Sequence, residues 1–194
     1  MKRFSTNKGV IIFVVLILLI VGFYYYLSNR PVSQPEETVP EIEVMTAVQQ
    51  VLARDLSINY PPTPREVVKY YSEITQCFYN EELTEDDIYA LGMKARELYD
   101  AELAANQTEA DYIDSLKYDI EEFNRYKRTI VSYNPSSSVD VETFSEDGFE
   151  WARLYCNYAI KQNEILYNSN IVFILRKDEN EHYKIYGWKL VEND

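Results

Sequence analysis

The sequence predicts an α+β fold: an N-terminal transmembrane helix, then about three helices packed on a four-stranded antiparallel meander. Three observations carry this expectation. Val10 to Leu27 run for eighteen positions without a charge. From Glu41 to Ile130 the apolar residues recur at helical spacing. After Asn134-Pro135 the period drops from about 3.6 to 2, the alternation of a strand with one buried face.

An eighteen-residue helix, at about 1.5 Å per residue, covers roughly 27 Å, close to the hydrocarbon thickness of a bilayer. Lys2, Arg3 and Lys8 precede the run and only Arg30 follows closely. That asymmetry keeps the amino terminus in the cytoplasm and sends the remainder across the cell membrane. The run is longer than the core of a cleaved signal peptide and ends in Tyr24, Tyr25 and Tyr26 rather than small residues. It is therefore expected to remain as a single-pass signal-anchor. The organisation that follows is 1–30, cytoplasmic tip and anchor; 31–57, a Pro-rich acidic tether with a short helix; and 58–194, an extracytoplasmic α+β domain.

Val44, Val48, Val51 and Leu52 space the short helix, which NYPP at 59–62 ends. Thr63 then offers an N-cap with Pro64 at the first helical position, and Val67, Tyr70, Tyr71, Ile74, Cys77 and Phe78 mark the buried face. A second helix opens at Thr84 with Glu85, Asp86 and Asp87 in its positive first turn, and fades near Asn106. Thr108 caps a third, whose stripe is Ile113, Leu116, Ile120, Phe123 and Ile130. The predicted strands are Ser138–Phe144, Phe149–Lys161, Ile165–Arg176 and His182–Val191, with a bulge expected at Asn168-Ser169-Asn170. Helices in one block and hairpin-linked strands in the next define the α+β class.

All 32 acidic residues, and all of the 19 basic ones except Lys2, Arg3, Lys8 and Arg30, lie in residues 31–194. That part is strongly acidic, which argues against nucleic acid as a partner. Cys77 and Cys156 are the two cysteines. A single disulfide between them and two buried thiols are both open, because spacing does not give the Cα separation that decides it. His182 alone supplies no Cys/His set for zinc, the acids at 178–181 lack the spacing of a calcium loop, and no glycine-rich phosphate loop occurs. No metal and no cofactor are expected.

Three helices followed by a long meander ending in HYKIYGWKL resemble the cone-shaped NTF2-like superfamily. TPREVVKYY, LRKD and IYGW resemble an uncharacterised membrane-anchored family of anaerobic Firmicutes, spanning nearly the full chain. The first resemblance implies a sheet wrapped on a long helix with a pocket at its wide end. Tyr112, Asp119 and Tyr126, spaced by seven along the third helix, are the catalytic candidates; Arg153, Tyr155 and Tyr158 would face them as ligand-binding residues. An acid and phenols in an apolar pocket suit proton abstraction beside a carbonyl, an analogy at the level of fold alone. The function expected is a non-catalytic binding module of the cell envelope, contacting another envelope protein or a wall component. The alternatives are a small-ligand receptor and an isomerase- or hydrolase-type enzyme.

Overall fold

The computed structural model describes Tyr25 and residues 45–191. The described core falls in the second of two compact units, Val44–Asp194, and its buried residues run from Val48 to Ile185. That unit holds its own core among the described residues, so residues 44–194 are expected to fold by themselves. Five helices, α1 Ala47–Leu52, α2 Pro64–Asn80, α3 Glu85–Arg96, α4 Ala101–Ala105 and α5 Glu109–Arg125, precede most of the sheet. Its strands are β1 Arg128–Pro135, β2 Glu142–Glu146, β3 Phe149–Gln162, β4 Ile165–Lys177 and β5 Tyr183–Leu190. All pairings between them are antiparallel, in the order β1-β3-β4-β5, with β2 also on β3.

The helix starts obey the local chemistry. Thr46, Thr63, Thr84 and Thr108 each accept a hydrogen bond from the third helical amide, and Gln49 and Asp87 complete capping boxes. The inner face of β3 is Ala152, Leu154, Cys156 and Tyr158, all buried, facing Phe173, Leu175 and Ile185 across the sheet. Val67, Val68, Ile74 and Phe78 of α2 close on that face.

Among the described residues the sheet has five strands and the α-helices number five, so the arrangement of about three helices on a four-stranded meander, and with it the NTF2-like cone, does not hold. The extra strand lies where a continuing third helix is expected. α5 stops at Arg125, and Lys127 takes a left-handed φ of 51° that turns the chain into β1. Ile130 keeps the helical period of α5 only by coincidence; it is buried from the strand. β1 joins the same edge of β3 as β2 does, with a register shift between Ile130 and Ser132. Asn80 takes up the backbone there, its amide donating to the Ile130 carbonyl at 2.8 Å and its oxygen accepting from the Ile130 N–H at 2.9 Å. The bulge expected at 168–170 is absent, since β3 and β4 pair without a shift from Trp151↔Arg176 to Gln162↔Ile165. As to the expected transmembrane helix, no helix among the described residues is long and apolar enough to cross a membrane. Val10–Leu27, apart from Tyr25, lies outside those residues.

The second expected helix also breaks in two. After α3 the segment Leu98–Asp100 runs parallel to the free edge of β5: the Ile185 amide donates to the Leu98 carbonyl at 2.8 Å, and the Asp100 amide to the Ile185 carbonyl at 2.9 Å. Asp100, 4% exposed, then caps α4 and receives two hydrogen bonds from Arg176, at 2.6 and 2.9 Å. The Arg176 guanidinium also packs over Phe149, Trp151 and Tyr186 and bonds Glu102 at 2.8 Å. The sheet edge is thereby covered, which removes a template for aggregation.

Cys77 and Cys156 are free and buried. Burial pushes the Cys77 thiol up to about 11 and raises Cys156 as well, so both are held as neutral thiols.

Gly92 marks the crossing of α3 and α5. A Cβ placed there would meet Ile113 Cδ1 at 2.8 Å and Leu116 Cδ2 at 3.2 Å. The nearest atom is the end of a flexible side chain, so Gly92→Ala should be tolerated within about 1 kcal/mol, its helix propensity offsetting the squeeze. Gly92→Val should destabilise by about 2 kcal/mol or more in urea unfolding. A valine variant as stable as the parent would show that the two helices do not cross this closely.

Candidate functional site

Between the helices and the inner face of the sheet lies a cavity of about 660 Å³. α2 supplies Tyr71, Thr75, Phe78 and Tyr79 to its wall, and α5 supplies Tyr112, Ser115, Asp119 and Phe123. Tyr158, Ile171, Phe173 and Trp188 of the sheet form the opposite wall. Arg96, at the end of α3, and Tyr99, from the β5-edge segment, close one end.

The rings form a connected lining. Tyr99 is its hub, with its hydroxyl 3.4 Å from those of both Tyr71 and Tyr112. Trp188 tilts against Tyr71 and Tyr99 at 5.6 Å between centroids, and Tyr71 meets Phe173 edge-on at 5.8 Å. Tyr79 stacks on Phe123 at 4.2 Å. Deeper in, Ser72 gives its one hydroxyl hydrogen to the Val68 carbonyl at 2.8 Å, so the Tyr158 hydroxyl is the donor in its 2.7 Å bond with Ser72.

Burial raises every one of these phenols. Tyr79 is pushed up to about 12, and Tyr71, Tyr99 and Tyr158 go well above the ordinary value. They are neutral hydroxyls at physiological pH and offer hydrogen bonds rather than a phenolate base. Asp119 stands at an exposed position of α5, yet partial burial against the cavity raises its carboxyl above the usual range.

Arg96 is the charged exception inside. Its Nη2 donates to the carbonyls of Ala104 at 2.7 Å and Gln107 at 3.3 Å, which ties α4 and the following turn to α3. The guanidinium lies 5.3 Å from the Tyr112 ring centroid.

The structure divides the sequence-derived candidates. Tyr112, Asp119 and Tyr158 line the cavity. Tyr126 caps α5 outside it, 45% exposed and flanked by the guanidinium groups of Arg125 and Arg128. Arg153 and Tyr155 project from the opposite face of β3, where Arg153 pairs with Glu142. The alternation along β3 already separates them from Tyr158, since odd and even positions cannot share a face. Tyr71, Tyr79, Arg96, Tyr99 and Trp188 go unpicked by sequence. Tyr71 sits on the predicted apolar face of α2, a usable signal; Tyr99 carries none, because only the break after α3 aims it inward, and a lone arginine at a helix end such as Arg96 reads as solvated. Among the described residues no group of three or more His, Cys, Asp or Glu side chains is placed to hold a metal ion.

A family profile described as Domain of unknown function (DUF6715) matches residues 1–188. No curated protein matches the chain.

The Asp119 environment sets a pH dependence. The folded state holds this proton more tightly than the unfolded chain, so its contribution to stability falls as pH rises from the unfolded carboxyl value of about 3.9 through the folded one. Asp119→Asn should therefore be more resistant to urea than the parent at neutral pH, with the gap closing at about pH 3. A variant less stable than the parent at neutral pH would mean that the carboxylate is held by a favourable partner.

Proposed function

We infer that this chain, which belongs to the DUF6715 family, carries a non-catalytic domain that binds a small, largely apolar ligand. The cavity is the observation that supports it: about 660 Å³, inside the about 300–1,000 Å³ range of small-molecule sites, with walls that are mainly aromatic and aliphatic and polar groups set among them. Neutral phenols around a raised carboxyl offer orientation and hydrogen bonding but no paired nucleophile and base, so binding rather than turnover is the function put forward.

The same proposal puts the domain outside the cell membrane. The uncharged run Val10–Leu27 behind three cations, and the acid excess of everything after it, support that placement. Protease added to intact cells should then remove residues 44–194; their survival until lysis would refute the placement. A second partner, another envelope protein or a wall component, is favoured by one observation. Phe144, Phe149 and Tyr186 gather around Trp151 on the outer face of the sheet and stay 36–45% exposed.

The cavity is testable with the fluorescent apolar probe N-phenylnaphthylamine and residues 44–194. Its emission should rise on binding and saturate. Ser115, at an exposed position on the cavity wall, can accept a larger side chain, so Ser115→Trp should fill the space and weaken the probe by roughly ten-fold or more with melting unchanged. Saturable binding untouched by Ser115→Trp would place the probe elsewhere.

A further inference from the structure

Among the described residues one buried side-chain nitrogen or oxygen lacks a hydrogen-bond partner: Nη1 of Arg96. Leaving a donor of a charged group unmet in a folded interior is costly, and such orphans are rare. No carboxylate pairs with this guanidinium among the described residues, although eleven ion pairs, all made by other cations, are found there. Its other terminal nitrogen is fixed by the carbonyls of Ala104 and Gln107, so the group is held in place before any ligand arrives. Arg96 also lines the cavity, at the end where Tyr99 and Tyr112 present neutral hydroxyls.

We propose that the cavity recognises an apolar carboxylic acid, with the ligand carboxylate drawn to the Arg96 charge at one end of the lining and its hydrocarbon body along the aromatic walls. This rests on the cavity being a ligand site, as argued above. Arg96 is the one lysine or arginine among the described lining residues, and a single positive charge suits a monoanion rather than a phosphate, which calls for several donors. Asp119 sharpens the choice. It lies seven residues beyond Tyr112 on α5, about 10 Å along the axis, so a second negative charge at the far end of the ligand would meet a carboxyl. The tyrosine hydroxyls beside Arg96 can donate to the ligand carboxylate, since being neutral they keep their hydrogens.

The test is displacement of N-phenylnaphthylamine from residues 44–194 by three ligands of one chain length: decanoate, decanol and decylammonium. Decanoate should displace the probe at a concentration roughly ten-fold or more below that of decanol, with decylammonium weakest. Arg96→Gln should bring acid and alcohol together while the probe itself still binds. Equal displacement by decanoate and decanol in the parent, or a preference for the acid that survives Arg96→Gln, would overturn the proposal. Arg96 also fastens residues 104–107, so that variant is accompanied by a melt. If it does not unfold cooperatively, the ranking of the three ligands on the parent decides alone, and decylammonium binding as well as decanoate overturns the carboxylate. Failure of the probe to bind at all removes the cavity as a ligand site, a different result from equal displacement.

Discussion

The segment Leu98–Asp100 on the edge of β5 is the constraint from which the rest of the domain takes its shape. Two backbone hydrogen bonds to Ile185, from either side of Tyr99, fix the chain on the sheet edge where the helical run of α3 ends. Alternation then sends Tyr99 inward, to the cavity, and Asp100 outward, to Arg176. A buried ion pair contributes little by itself over an apolar substitute, but losing one partner leaves the other charge stranded, a loss of about 3–5 kcal/mol. Here the pair is reinforced by three aromatic rings and by Glu102, whose carboxyl is held below the usual range mainly by its bond from Arg176. One short stretch therefore covers an open sheet edge, positions the hub of the cavity and orients the start of α4.

The cavity owes its existence to the same geometry. Were α3 to continue straight to Asn106, as periodicity suggests, Tyr99 would lie on a helix surface with no reason to face the sheet. The break instead carries the chain across the end of β5, and the return through α4 into α5 leaves space between α2, α5 and the inner sheet face. Large, rigid rings line that space without filling it. Their hydroxyls satisfy one another at 3.4 Å, which makes the lining polar enough for ligand oxygens and apolar enough for a hydrocarbon.

Much of the fold is legible in the residues. Thr63, Thr84 and Thr108 announce their helices through side-chain chemistry that needs no tertiary partner, and the period-two alternation from Phe149 onward sorts inner from outer face correctly. Asp147-Gly148, both at positive φ, mark the β2–β3 turn as such pairs do. β1 is illegible for a definite reason. Ile130 continues the apolar period of α5, and the helix stop is a left-handed lysine rather than glycine or asparagine, a conformation that costs about 1–2 kcal/mol and leaves no mark in composition. The site is half legible. Tyr112 and Asp119 share a helix face and can be grouped by spacing, whereas Arg96, Tyr99 and Trp188 come together only after the sheet has formed. Tyr126 is misplaced because the helix that was to carry it ends one residue earlier.

The proposed seat of an apolar acid is the inner face of the sheet and not the outer aromatic cluster. Nuclear Overhauser contacts from decanoate to residues 44–194 test it most directly. Contacts from the ligand methylenes to the rings of Tyr71, Tyr99, Phe173 and Trp188 are the predicted result. Contacts confined to Phe144, Phe149 and Trp151 would contradict it and move the binding surface to the opposite side of the sheet.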